Sequence, residues 1–186
     1  AAFADTIGKK KVNVAKKEFS RFNPHVKIEA IDAKLNEANA KKLLKGSDVC
    51  IQGMDSVAGR IIFHRAAKEL GIPAVTMTGQ PPFRSFVSTL LCNGPLYEEL
   101  FGLKFALGQE LENNKSVAEQ LKRLQIGRAI HASQIGGMQD WFYAYCNGLE
   151  GGGITAERAY ITSVYQVNET IRILTGKVPR AIAPKA

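Results

Sequence analysis

What these 186 residues lack narrows the field first. No uncharged apolar run reaches the ~18 residues of a membrane span. The N-terminus has no basic-then-apolar signal pattern, so the cytoplasm is the expected compartment. Cysteine is scarce: Cys50, Cys92 and Cys146 are scattered, odd in number and never arranged as C-x-x-C, which argues against a disulfide framework and a zinc ribbon alike. The 3 histidines are equally dispersed, and no repeat or low-complexity tract occurs. Acid is short relative to base, 17 against 25, for a net charge of +8. The excess gathers at the start, where Lys9, Lys10, Lys11, Lys16, Lys17, Arg21 and Lys27 face only Asp5 and Glu18. Such a patch suits nucleic acid, a nucleotide phosphate or an acidic protein. No aromatic residues alternate with these lysines to stack bases, so nucleic acid is not expected and most of them read as a solvated helix face.

With 45% apolar and 23% charged residues, the chain has material for one core and one domain. Its organising stretch runs from Asp48 to Thr78. Residues 48–53 read as a short buried strand, Ser56–Leu70 as an amphipathic helix and Ile72–Met77 as a second buried strand, one βαβ unit. Open α/β sheets hold ligands beyond the carboxyl ends of their strands. Asp55 stands at such an end with Ser56 beside it as helix N-cap. A carboxylate there either holds a metal ion or complements the helix macrodipole.

Around this unit the periodicity predicts a helix over Lys9–Phe22, a strand over Val26–Ile31 and a short helix over Asn36–Leu44 stopped by Gly46. A strand follows over Phe83–Leu91, then a helical turn over Tyr97–Gly102 and a helix over Ser116–Leu124. Between Arg128 and Cys146 a helix interrupted by Gly136 and Gly137 carries Trp141, Phe142, Tyr143 and Tyr145, read as core. After the glycine-rich loop of residues 148–153, a long helix spans Thr155–Leu174 with Ala159, Val164, Val167, Ile171 and Leu174 near one face and Gly176 as its stop. Three successive strand–helix units predict a mostly parallel, Rossmann-like α/β sheet with helices on both faces.

Several local features fall in a telling order: Gly8 to Lys11 and Val12 (G-x-x-K-V), Asn23 and Pro24 before a strand, Asp48 and then Asp55 with Arg60 nearby, Gly71-Ile72-Pro73, and the terminal helix from Gly151 to Gly176. This ordered set resembles the ThiF/MoeB/HesA superfamily, which includes the ubiquitin-activating enzymes. The resemblance covers residues 6–87 and 151–176, while residues 95–150 read as a family-variable helical insertion. It implies ATP- and magnesium-dependent adenylation of the C-terminal glycine carboxylate of a small ubiquitin-like or sulfur-carrier protein, or of a peptide, by a homodimer. By position it assigns Lys11 to the ATP phosphates, Asp55 to magnesium with Ser56 beside it, Arg60 to orienting the site, and Lys34 and Leu35 to the adenine edge. The acceptor tail would cross the sheet edge near residues 79–84. A lysine suits a pentavalent α-phosphorus as a point charge, and a hard ion suits one carboxylate plus phosphate oxygens. A plain surface lysine is the competing reading of Lys11.

The departures from the family pattern are equally specific. The phosphate-cradling G-x-G-x-x-G loop, the ribose-binding acid and the N-x-x-R-Q arginine motif belong before Thr6, so the first βαβ unit is expected to lie outside this chain, making 1–186 an incomplete adenylation domain inactive alone. The zinc-binding C-x-x-C pairs are absent, with Leu96 and Glu98 where the first would fall, so no structural zinc is expected. Ser56 replaces a usual asparagine, and Gln52 fills a common acidic position. Cys92 is the one cysteine worth testing as a nucleophile, but it has only Arg84 nearby and no adjacent base, so an inert thiol is the plainer reading. A non-catalytic partner subunit and a Rossmann dehydrogenase fragment are the alternatives.

Overall fold

The computed structural model describes residues 4–80, 84–124 and 156–183. The expected aromatic cluster at residues 141–145, Cys146 and the loop 148–153 lie outside the described residues. The chain divides into two compact units, Ala1–Lys34 and Leu35–Ala186.

In the first unit, a single 3-10 turn at Ala4–Thr6 leads through Gly8, whose φ of 81° favours glycine, into helix α1, Lys11–Phe22. Its C-cap is Asn23, whose Oδ1 accepts the His25 N–H at 3.1 Å. No residue of α1 is buried, and Phe22 is 93% exposed. The strand expected over Val26–Ile31 does not form: residues 27–36 have no regular structure, and Val26 and Ile31 are exposed. A β-propensity run becomes a strand only with a ladder partner for its N–H and C=O groups. Among the described residues, none pairs with it.

The second unit carries the sheet. Helix α2, Ala40–Leu44, starts after a reciprocal Asn36–Asn39 turn, each side chain accepting the other's N–H at 2.9 Å. Strand β1, Cys50–Ile51, leads to helix α3, Val57–Glu69, and strand β2, Ala74–Gln80; β1 and β2 pair in parallel with Cys50 opposite Ala74. This is the βαβ unit read from the sequence, with a shorter first strand. Strand β3, Arg84–Leu90, then runs antiparallel to β2 from Gln80–Arg84 to Ala74–Leu90, and Ile182 adds a parallel bridge to Thr89 on the far side of β3. The α/β class stands, with a parallel pair inside it. The longest register is nevertheless antiparallel, because the short β2–β3 connection cannot make the crossover a parallel pair needs.

Beyond β3 come helix α4, Tyr97–Leu100, a 3-10 turn at Lys104–Ala106, helix α5 over residues 115–124, and helix α6, Ala156–Leu174. The main core lies on the α3 side, where Val57, Ile61 and Ile62 of α3 meet Leu90, Tyr97, Leu103 and Leu121. A fully buried isoleucine such as Ile61 contributes roughly 1.5–3 kcal/mol. Phe63 and Ala67 extend that side onto Cys50 and Ala74. Leu90 faces α3, so its strand neighbour Thr89 faces the other way, where its hydroxyl meets Glu169 of α6. Helices α3 and α6 therefore cover opposite faces. No described helix is long and apolar enough to cross a membrane.

Helix α6 packs by an unexpected side. The expected apolar face carries Val164, Val167, Ile171 and Leu174, and these are exposed together with Tyr160; the buried positions are Thr162, Gln166, Glu169 and Thr170. The reason lies in the sheet, which presents buried Gln52, Thr76 and Thr89 and so demands hydrogen-bonding partners rather than methyl groups.

Candidate functional site

The loop between β1 and α3 leaves the sheet at the carboxyl end of the parallel pair and carries Asp55. Ser56 is the helix cap: its Oγ accepts the Gly59 N–H at 3.2 Å. Asp55 precedes the cap, is exposed, and has no hydrogen bond or ion pair among the described residues. A carboxylate whose neighbour already supplies the cap is free to take a ligand.

Four buried side chains set the position of that loop. The Met54 carbonyl accepts from Arg60 Nε at 2.6 Å and from Gln52 Nε2 at 2.9 Å. Gln52 Oε1 in turn accepts the Thr76 hydroxyl at 2.7 Å, and the Gln52 carbonyl accepts Gln166 Nε2 at 2.9 Å. A polar chain thus runs from α6 through the sheet to the residue before Asp55. Removing one member would leave buried groups unpaired, a cost of about 1–3 kcal/mol each. Arg60, expected to orient the site, holds the loop's backbone through that bond to the Met54 carbonyl. It also faces His64 one turn along α3, which burial first and this guanidinium second push down to about 3, so the imidazole is neutral.

Asp55, Ser56 and Arg60 therefore share one loop and helix start. Lys11 belongs to the first unit, where it is the first residue of α1. The start of α1 has no side-chain cap, and three lysines crowd its positive end. Lys10 is ion-paired with Asp32, while Lys9 and Lys11 have no such partner among the described residues. Cations at a helix N-terminus oppose the macrodipole, a conflict that an anion docking there relieves. Lys34 closes the first unit, and Leu35 opens the second, half-buried against both apolar clusters of its core.

Cys92 follows β3 in a turn, half-buried and as a free thiol. Leu90 pairs with Ala74 at the beginning of β2, so Cys92 lies at the opposite end of the parallel pair from Asp55. Burial raises the thiol of Cys50 above its ordinary value. No cluster of three or more metal-ligating side chains occurs among the described residues. Asp55 as a lone carboxylate fits magnesium, which commonly uses one or two carboxylates together with substrate phosphates. Gln52 and Gln166, the residues that set the loop, went unrecognised as a pair in the sequence because they are 114 positions apart.

Comparison with known proteins adds to this geometry. A model of the ThiF family matches residues 2–186. Over 97 residues, 52% of this chain and 36% of the relative, the sequence is 29% identical to a SAMP-activating enzyme E1 of Haloferax volcanii. Over 95 residues, 48% of this chain and 37% of the relative, it is 32% identical to a molybdopterin-synthase adenylyltransferase of Haemophilus influenzae. A crystal structure of PaaA superposes on 97% of the chain with a TM-score of 0.62 at 19% identity, using 52% of the PaaA chain, and so shares its fold. The matches span little more than a third of the curated relatives' length.

Proposed function

Because this chain belongs to the ThiF family, we propose that it forms part of an ATP- and magnesium-dependent adenylyltransferase acting on the C-terminal glycine carboxylate of a small ubiquitin-like or sulfur-carrier protein, or of a peptide. Relatives named SAMP-activating enzyme E1 and molybdopterin-synthase adenylyltransferase support that reading. Family membership leaves no place for the dehydrogenase fragment.

The observation that carries the proposal is a carboxylate without a partner among the described residues, Asp55, on a loop that Gln52 and Arg60 hold beyond the carboxyl end of a parallel pair. In the reaction, an oxygen of the acceptor carboxylate bonds to the α-phosphorus of ATP while the bond to the pyrophosphate leaving group breaks. Magnesium supplies charge neutralisation on the phosphate oxygens. Asp55 is its ligand, with Ser56 fixing the helix start behind it. Arg60 positions the loop, and Lys11 places a point charge on the phosphates. Lys34 and Leu35 border the adenine, and the acceptor tail crosses the edge near residues 79–84. Cys92 takes no part in adenylation. The enzyme works in the cytoplasm as a homodimer; the exposed apolar row on α6 supports self-association.

The test is ATP–pyrophosphate exchange by the full-length protein with a Gly-ended acceptor. Asp55→Ala is expected to lower exchange on the order of 10²-fold or more while the thermal midpoint stays unchanged. Undiminished exchange in that variant removes Asp55 from the mechanism. Absence of exchange in the unaltered protein, with tight binding to a catalytic homologue, favours the non-catalytic subunit instead.

A further inference from the structure

A concavity is lined by residues outside the Asp55 loop. Between α6 and the edge made by β3 and residues 177–181 runs a groove of about 660 Å³, within the range that takes a drug-sized molecule. Its walls divide by character. Val87, Ile161 and Tyr165 make an apolar stretch, whereas Arg172, Lys177 and Arg180 gather near the end of the helix. Ile161 and Arg172 are about 16 Å apart along the helix axis, so the two regions are distinct ends of one groove.

The charge there is not internally matched. Glu169, the one carboxylate of the lining, is buried; its Oε2 accepts the Arg180 and Ala181 N–H groups at 2.8 and 2.9 Å and the Thr89 hydroxyl at 3.3 Å. Arg172 spends Nε on the Val178 carbonyl at 2.8 Å, leaving its terminal nitrogens unpartnered among the described residues. The side chains of Lys177 and Arg180 likewise have no hydrogen bond or ion pair among those residues. Three cations thus surround one internally bonded carboxylate beside an apolar wall. That combination selects an anion with an apolar body, and charge-assisted bonds to Arg are strongest where water is partly excluded.

We propose that this groove is a binding site for a small organic anion, its apolar body against Val87, Ile161 and Tyr165 and its anionic head on Arg172, Lys177 and Arg180. The site is separate from the Asp55 loop. No residue of the Asp55 loop, 52–56, is among those lining the groove. The proposal therefore stands independently of the adenylation reading.

The full chain is titrated with 8-anilinonaphthalene-1-sulfonate, an aromatic anion, and with uncharged N-phenyl-1-naphthylamine, at low and high salt. One saturable site for the anion is expected, weakened about tenfold or more in R172Q/K177Q/R180Q and by added salt. The neutral dye should change less than about threefold in the same variant, while Tyr165→Ala weakens both dyes. If the triple variant does not fold, K177Q alone, at an exposed side chain, is expected to weaken the anion about threefold. No saturable anion site, equal affinity in the unaltered and charge-neutralised proteins, or an equal loss for the neutral dye overturns the proposal.

Discussion

His64 is a titratable ring used as an aromatic one. It stacks on Tyr97 with centroids 5.0 Å apart, meets Phe63 edge-on at 5.2 Å, and neither ring nitrogen has a hydrogen-bond partner among the described residues. Its pKa, pushed down to about 3, lies below the unfolded value, so between about pH 6.5 and 3 the unfolded chain binds the extra proton and stability falls as pH falls. The expected slope is about 1.4 kcal/mol per pH unit in that window, or roughly 2 kcal/mol between pH 7 and 5. Urea unfolding of unaltered protein and of His64→Phe at both pH values checks it; an equal slope in the two proteins would exclude His64 as the source. Arg65 is a second residue with a structural task. It gives Nε to fully buried Glu98 at 2.7 Å and a terminal nitrogen to the Gln109 carbonyl at 2.7 Å, binding the segment after β3 to α3 where the family resemblance places a zinc pair. Arg65→Ala strands the Glu98 carboxylate and is expected to cost about 3–5 kcal/mol in equilibrium unfolding. The Ser56 cap was legible from sequence because capping is local. The Arg65–Glu98 pair was not, because nothing in a linear pattern joins positions 33 apart.

Among the elements, α6 shows what periodicity can and cannot say. The 3.6-residue period correctly gives an amphipathic helix ending at Gly176, where the Gly176 and Lys177 N–H groups cap the Ile173 and Arg172 carbonyls. It does not say which face meets the protein. A sheet surface of Gln52, Thr76 and Thr89 takes the polar face, leaving Tyr160, Val164, Val167, Ile171 and Leu174 in the alternating four- and three-residue spacing of a helix–helix seam, about 21 Å long. The seam has no charged residue, which lets two chains of net charge +8 approach through it. For the homodimer proposed above, Val164→Lys with Ile171→Lys is expected to shift sedimentation from dimer to monomer, raising the dissociation constant about 100-fold, without unfolding the protein, since both side chains are solvent-exposed. Unchanged sedimentation in the double variant would place the dimer contact elsewhere. The unformed strand at residues 26–31 teaches the same lesson from the other side: propensity is local, pairing is not.

At the scale of the whole molecule, the two units differ in what holds them. Residues 35–186 contain both apolar clusters, the sheet and the polar chain through Gln52. Residues 1–34 contain a helix with no buried residue and surface ion pairs, Lys10–Asp32 and Arg21–Glu18, worth at most about 1 kcal/mol each. The α/β class and the βαβ unit were legible because alternating strands and helices are written in short segments. The division of stability between the units was not, since it depends on which apolar residues find partners. An isolated 12-residue helix is marginal in water, so α1 must open far more easily than α3. Amide hydrogen exchange is expected to reach completion across α1 orders of magnitude sooner than across Ile61–Ala67, whose protection should follow global unfolding. If α1 instead exchanges as slowly as α3, the first unit is held by contacts that its exposed surface does not account for. Adding ATP and magnesium to the full-length protein provides the functional contrast. A phosphate bound by Lys11 would slow exchange at the start of α1 through mass action, and Lys11→Ala should abolish that slowing while leaving exchange in α3 unchanged.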